Sequence, residues 1–400
     1  MYEKHNAQGF RSLPLSPSLL EKLDRLGFVT PTPIQRDAIG PALEGRDLVG
    51  IAQTGTGKTL AFALPIAARL PKGQIALVLA PTRELAIQIQ EVFGQIGMRT
   101  ALLIGGAPMR PQISQLRNRP EVIVATPGRL MDHHAQRTLD LKDTAIVVLD
   151  EADRMLDMGF APTVRKILDK LPRERQTMLF SATMPREITD LASRYLVKPH
   201  RVEIDRAGTA AAEVVQELLL VSQEYKADVL NQLLEEHGGS VLVFARTRHG
   251  ARKLARNIHR LGHSATEIHS DRTLVQRRAA LQGFKAGTYR VLVATDIAAR
   301  GIDVKEISLV INYDVPEKAE DYVHRIGRTG RAGATGHAIT LATPEQHKDV
   351  TNIERLLQSE LPLSKHSMQR VNRRTVVVSA AKWPTKGRPK DSRPNRLFGR

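Results

Sequence analysis

Cysteine is absent from this chain, which removes disulfides, thiolate metal sites and cysteine nucleophiles at once. Aromatic residues make up only 4%, too few for a protein whose main mode of recognition is the stacking of bases on ring faces. No apolar run approaches the roughly 20 residues needed to span a bilayer, and residues 1–10 contain no apolar signal-peptide core. Missing thiols, missing spans and a missing leader together fit a cytoplasmic enzyme. The thirteen histidines do not cluster at ligand-like spacing, and the His133-His134 pair reads as a solvated turn.

Acidic residues are also scarce relative to basic ones. Forty-two carboxylates face 59 lysines and arginines, a formal net charge of +17. Such an excess favours a polyanionic partner, and with no membrane signature that partner is nucleic acid. The rest of the composition, 42% hydrophobic and 25% charged, is ordinary for a globular protein. A length of 400 residues exceeds one compact core and suggests two domains of roughly 150–200 residues.

The recurring theme is a short apolar run, a loop and a helical stretch. Runs at residues 47–52, 75–80, 122–125, 145–149 and 177–181, then at 240–245, 290–294 and 308–312, are apolar on both sides. Such runs suit parallel strands covered by helices on both faces, an α/β architecture repeated in two tandem domains. Ligands in such sheets gather at the carboxyl ends of the strands. The small, polar segment 206–213 reads as a linker between a first domain, 1–205, and a second, 214–364. Residues 365–400 hold 11 basic residues and one acid, Asp391, a net of +10. That tail reads as disordered when alone and as an electrostatic RNA-binding segment. Its Trp383 and Phe398 are either stacking residues or incidental.

The strongest local signal is Ala52-Gln53-Thr54-Gly55-Thr56-Gly57-Lys58-Thr59. It follows an apolar run and precedes a helical stretch, as a phosphate-binding loop must. Gly55 and Gly57 let backbone amides approach a polyphosphate, Lys58 supplies a point charge for the β- and γ-phosphates, and Thr59 offers a hydroxyl to Mg²⁺. Ala52 stands where the usual pattern has a glycine. Asp150, at the end of a second apolar run, is placed to hold the same Mg²⁺, and Glu151 to polarise the attacking water. An acidic helix start would explain Asp150-Glu151 equally well if no phosphate loop lay upstream.

Asp150-Glu151-Ala152-Asp153 also resembles the signature of the DEAD-box RNA helicases, and the resemblance runs from Phe10 to Pro362, motif by motif. The resemblance implies two RecA-like domains that use ATP and Mg²⁺ to clamp and locally unwind RNA, without sequence specificity. It implies an adenine-reading segment at Phe28 and Gln35, with Phe10 as its upstream aromatic. It implies RNA contacts from Pro81, Thr82, Arg83, Gly105, Gly106, Thr126, Pro127, Gly128 and Arg129 in the first domain. In the second, Arg246, Thr247, Arg277, Thr295 and Asp296 are the implied RNA contacts. Gly301 and Asp303 would join the nucleotide site, and Arg328 and Arg331 would reach the γ-phosphate as arginine fingers. Asp153, Ser181, Thr183 and His324 would couple the domains, with His324 near Asp153. The wording of residues 245–251 is closest to the bacterial RhlE-like subgroup. One departure stands out: after His269-Ser270, Leu274 occupies the place three before Arg277 where the family has glutamine. Two rivals share these residues. One is a DNA helicase, against which the motif wording argues; the other is an ATP-gated RNA clamp or scaffold with little unwinding.

Overall fold

The computed structural model describes residues 9–53, 55–204, 214–299, 307–330 and 336–364. Thr54, Gly301, Asp303, Arg331, the linker 206–213 and the tail 365–400 lie outside the described residues.

Two parallel sheets organise the chain. The first contains β1 (Leu48–Ile51), β2 (Ile75–Leu79), β3 (Thr100–Leu103), β4 (Val122–Ala125), β5 (Thr144–Leu149), β6 (Gln176–Ser181) and β7 (His200–Glu203), in the order β3-β4-β2-β5-β6-β1-β7. The second contains β8 (Val214–Leu220), β9 (Val241–Phe244), β10 (Ala265–Ile268), β11 (Val291–Ala294), β12 (Leu309–Asn312) and β13 (Gly336–Ala342), in the order β10-β11-β9-β12-β13-β8. Every pairing between these strands is parallel.

Parallel strands need crossovers, and the crossover helices cover both faces. In the first lobe Ala76 and Val78 of β2 join Phe62, Ile66, Ile89 and Phe93 on one face. Leu77 and Leu79 join Leu130, Met155, Ile167 and Leu191 on the other. In the second lobe, Phe244, Phe284, Tyr322 and Ile353 share one core, while Val243, Leu230, Leu254 and Ile258 share the opposite one. Residues apolar on both sides are therefore buried on both sides, which explains why these runs read so clearly as strands.

Each of the eight expected strands forms: that at 122–125 with the expected bounds, the others trimmed by a residue at one or both ends or extended by one. Five further strands were not foreseen: β3, β7, β8, β10 and β13. β7 (His-Arg-Val-Glu) and β10 (Ala-Thr-Glu-Ile) are short and largely polar. β3, β7, β8 and β10 lie at sheet edges, where one side of the strand stays wet. His133 corrects the expectation of a solvated turn. It lies in the helix Pro127–Ala135 and is fully buried.

Candidate functional site

Behind β1 the chain turns through the loop and enters the helix Lys58–Arg69. Gly57 is left-handed (φ 89°), and an added Cβ there would lie 2.4 Å from Gln35 Nε2, so only glycine fits. Gln35 Nε2 donates to the Gly57 carbonyl at 3.0 Å, and its Oε1 accepts from the Thr32 amide at 2.9 Å. The expected adenine reader is therefore buried and braces the phosphate loop; both of its hydrogen-bonding ends are engaged by backbone. Phe10 is likewise buried, packed with Leu60 and Leu64 of the helix behind the loop, whereas Phe28 is exposed. Lys58 folds over the loop, donating from Nζ to the Ala52 carbonyl at 2.9 Å. Thr56 Oγ1 donates to the Gln53 carbonyl at 2.8 Å, closing the turn.

Across from the loop, β5 delivers Asp150 and Glu151, both nearly closed to solvent. Burial foremost, and Glu151 beside it, push the Asp150 carboxyl up to about 6, against the pull of Lys58. A buried carboxylate held that high is a site short of positive charge. With Thr59 in the first turn of the helix that Lys58 opens, it would suit a divalent cation such as Mg²⁺. Glu151 behaves oppositely. Burial works to raise it, yet Arg154, Lys58, Arg328 and His324 together draw it down to about 2. It is therefore ionised at neutral pH, and a carboxylate this acidic orients and polarises a water more than it strips it. Arg154 Nη1 donates to Glu151 Oε2 at 2.8 Å. Glu151 itself takes a left-handed backbone (φ 51°), a strain of roughly 1–2 kcal/mol for a residue with a Cβ.

Asp153 ties this acid loop to β6. Its Oδ2 accepts from the amides of Ala182 and Thr183, at 3.1 and 2.9 Å, and from Thr183 Oγ1 at 3.0 Å. Its own amide donates to Ser181 Oγ at 3.2 Å, and Ser181 Oγ donates to the Thr183 carbonyl at 2.7 Å. His324, expected at Asp153 or its neighbourhood, bears on Glu151 and lines a small cavity with Arg154 and Arg328.

The other implied RNA residues of the first lobe meet at the carboxyl ends of β2, β3 and β4. Thr82 caps the helix Arg83–Gln95 by accepting from the Leu85 amide. Arg83 lies against the Gly105-Gly106 turn so closely that a Cβ on Gly106 (φ 74°) would fall 2.1 Å from its Nη1. Arg129 Nη1 donates to the Ala107 carbonyl at 2.9 Å, while Pro127 and Gly128 open the helix that Thr126 precedes. Gln112, which the sequence did not single out, pins the turn. It accepts from the Ile104 amide and donates to the carbonyls of Ile104, Ala107 and Pro108.

In the second lobe Thr247 caps the helix Arg248–Arg260, and Arg246 donates its amide to Asp314 at 2.8 Å. Thr295 follows β11 and donates its amide to the Ile268 carbonyl. Asp296, expected near RNA, is committed elsewhere. Arg325 grips it through Nε at 2.5 Å and Nη2 at 2.7 Å. The Arg325 side chain is 2% exposed and also donates to the Asp314 carbonyl, 5.0 Å from the Phe244 ring centre. This fork-shaped pair anchors the segment that carries Arg328. Arg328 is buried, donates from Nε to the His324 carbonyl at 3.2 Å, and lies near enough for its charge to lower the Glu151 carboxyl across the lobe boundary. Three further contacts cross that boundary: Arg277 to Glu84 at 2.9 Å, Lys318 to Asp157 at 2.7 Å, and Leu274 against the first-lobe core. Arg277, an implied RNA contact, is thus paired with a first-lobe carboxylate.

Comparison with known proteins agrees with this arrangement. The family described as DEAD/DEAH box helicase matches residues 32–191, and that described as helicase conserved C-terminal domain matches residues 225–333. ATP-dependent rRNA helicase RRP3 of Scheffersomyces stipitis is 45% identical over 362 residues, covering 88% of this chain and 75% of its own. DEAD-box ATP-dependent RNA helicase CshA of Bacillus cereus is 42% identical over 360 residues, covering 88% and 69%. Among solved structures, S. cerevisiae Dbp5 bound to RNA and ADP BeF3 superposes with a TM-score of 0.79 at 30% identity, covering 89% of this chain and 96% of that one. The acid loop, the phosphate loop and the arginine-bearing second lobe are thus those of a recognised lineage, and the chain belongs to the DEAD-box family of ATP-dependent RNA helicases.

Proposed function

We propose that this helicase works as an RNA-gated ATPase whose catalytic centre is divided between its lobes. Lys58, Thr59, Asp150 and Glu151 belong to the first lobe, 1–205, and Arg328 and Arg331 to the second, 214–364, with 206–213 as the linker. The observation that carries the reading is the field at Glu151: two second-lobe groups, Arg328 and His324, help to hold it ionised. Phosphoryl transfer depends on positioning and charge neutralisation. Asp150 and Thr59 would hold a divalent cation such as Mg²⁺, which would supply charge at the phosphates. Lys58 leaves the Ala52 carbonyl for the β- and γ-phosphates, Glu151 orients the water, and the arginines meet the charge that develops. An RNA strand lying on Arg83, the Gly105-Gly106 turn and Arg129, and continuing to Arg246 and Thr247, favours closure and so assists ATP binding reciprocally. Bending the strand in that grip opens a few base pairs.

Several finer attributes complete the proposal. The wording of residues 245–251 fits the bacterial RhlE-like subgroup, and the absence of cysteine from the sequence fits a cytoplasmic enzyme; it would act on structured RNA in ribosome assembly or mRNA decay, and relatives named as rRNA helicases support the former. Among the described residues no helix is long and apolar enough to cross a membrane.

The test is ATP turnover with and without single-stranded RNA, beside strand displacement on a short duplex. Arg328→Ala should lower RNA-stimulated kcat by roughly 10³-fold or more while ATP still binds. Glu151→Gln should bind both ligands and turn over roughly 10²–10⁴ times more slowly. Full turnover by either variant would remove the assignment. ATP-dependent RNA retention without displacement would instead indicate a clamp.

A further inference from the structure

The helix Arg248–Arg260 has two faces of different character. Ala251, Leu254, Ala255 and Ile258 are buried in the second-lobe core. Directly opposite, at helical spacing, stand His249, Lys253, Arg256 and Arg260, all exposed. No acid occurs anywhere from residue 246 to 260. On the flank, Asp271 is taken by Arg248 at 2.7 Å and Arg252 at 3.5 Å. Among the described residues no carboxylate pairs with the outer stripe.

A solvated helix face ordinarily alternates charge signs, because opposite charges three or four residues apart support the helix and like charges oppose it by about 0.2–0.5 kcal/mol per pair. Here Lys253 and Arg256, and Arg256 and Arg260, are like pairs at those spacings. Arg248 and His249 lie in the first turn, where the helix end is already positive. The arrangement therefore works against the helix and in favour of an anion. The stripe spans eleven residue steps, about 16 Å at 1.5 Å per residue, enough for several phosphates of one strand. Its near end adjoins Arg246 and Thr247, where the clamp's strand is expected to leave the second lobe.

We infer that this face is a second RNA track, which receives the strand or duplex flanking the clamped nucleotides and binds it through phosphates. The inference rests on the RNA-clamp reading above. The track lengthens the footprint on RNA and adds affinity that grows with RNA length, without contributing to hydrolysis.

The test compares the full chain with the triple variant K253E/R256E/R260E, and with K253Q/R256Q/R260Q as a milder control. Binding is measured by fluorescence anisotropy at several salt concentrations. One RNA is just long enough for the motif-lined groove; the other is about three times longer. The charge reversal should weaken the longer RNA at least tenfold and leave the shorter one unchanged. The salt slope for the longer RNA should fall by about 2, or roughly 0.7 for each of three phosphates. ATP turnover without RNA should not move, and the glutamine variant should lie between. Unchanged affinity for the longer RNA overturns the track, as does an equal loss on both RNAs. Loss of binding to phosphatidylserine vesicles with RNA binding intact also overturns it, in favour of a membrane surface. Failure of the unaltered chain to hold the short RNA with an ATP analogue would count against the clamp itself.

Discussion

Arg154 reaches back one helical turn to Glu151, placing Nη1 2.8 Å from Oε2 with both side chains almost closed to water. The carboxylate proposed to orient the attacking water is thus held charged and in one rotamer by its own helix. Removing one member of a buried pair leaves an uncompensated charge and costs about 3–5 kcal/mol. Arg154→Met should therefore destabilise the first lobe by that amount in denaturant titration and slow hydrolysis. A loss under about 1 kcal/mol would show that the pair matters little to the fold.

Gly106 has no room for a side chain while Arg83 stays where it is. Gly106→Ala should push the guanidinium aside and strain a left-handed backbone, at roughly 1 kcal/mol. RNA affinity should fall about tenfold, with ATP affinity unchanged because the phosphate loop lies apart. An alanine variant that binds RNA normally would separate Arg83 from the RNA surface.

Asp296 and Arg325 predict a stability effect where the family resemblance implied an RNA contact. Asp296→Ala frees a buried guanidinium, and the second lobe should lose about 3–5 kcal/mol. Asp296→Asn should lose less, since an amide oxygen still accepts one of the two hydrogen bonds. The check is unfolding of the second lobe. A purely RNA-linked defect with normal stability would restore Asp296 to the RNA surface.

His133 supplies a pH dependence. Its Nε2 faces Gln112 Oε1 at 3.3 Å and its Nδ1 faces Thr138 Oγ1 at 2.8 Å. In the neutral Nε2–H tautomer the ring donates to Gln112 and can accept at Nδ1 from Thr138, whose one hydroxyl proton the His133 carbonyl, at 3.0 Å, also attracts. Burial first, and Arg129 next, hold its pKa below the usual histidine value. Between the two pKa values the unfolded chain binds more protons than the folded one, so stability is complete above about pH 6.5 and declines as pH falls below it. The decline is at most about 1.4 kcal/mol per pH unit. His133→Gln should flatten the pH dependence of the unfolding midpoint; identical slopes would refute the assignment.

The sequence exposed those parts of the fold whose cause is local. The run at 122–125 is apolar on both sides because β4 is buried on both sides, and periodicity alone reveals it. β10 reads Ala-Thr-Glu-Ile at a sheet edge, and four residues of mixed polarity there cannot be told from a loop. The site divides in the same way. Lys58, Asp150 and Glu151 announce themselves by spacing after apolar runs. Arg154, Gln112 and Arg325 do not, because a buried polar residue acquires its role from partners that only the folded chain brings near. Arg325 bonds Asp296, 29 positions away. Gln35 shows the converse: its position is marked by a motif, yet the motif does not announce that the side chain braces Thr32 and Gly57.

Strands that all run the same way give the first lobe a working rim and a plain one. Phosphate loop and acid loop issue from the ends where its strands finish, and the turn entering β2 lies on the opposite edge. Tags, tethers or whole extra modules grafted into that turn would be borne on the silent side, and the engine should run without noticing its cargo.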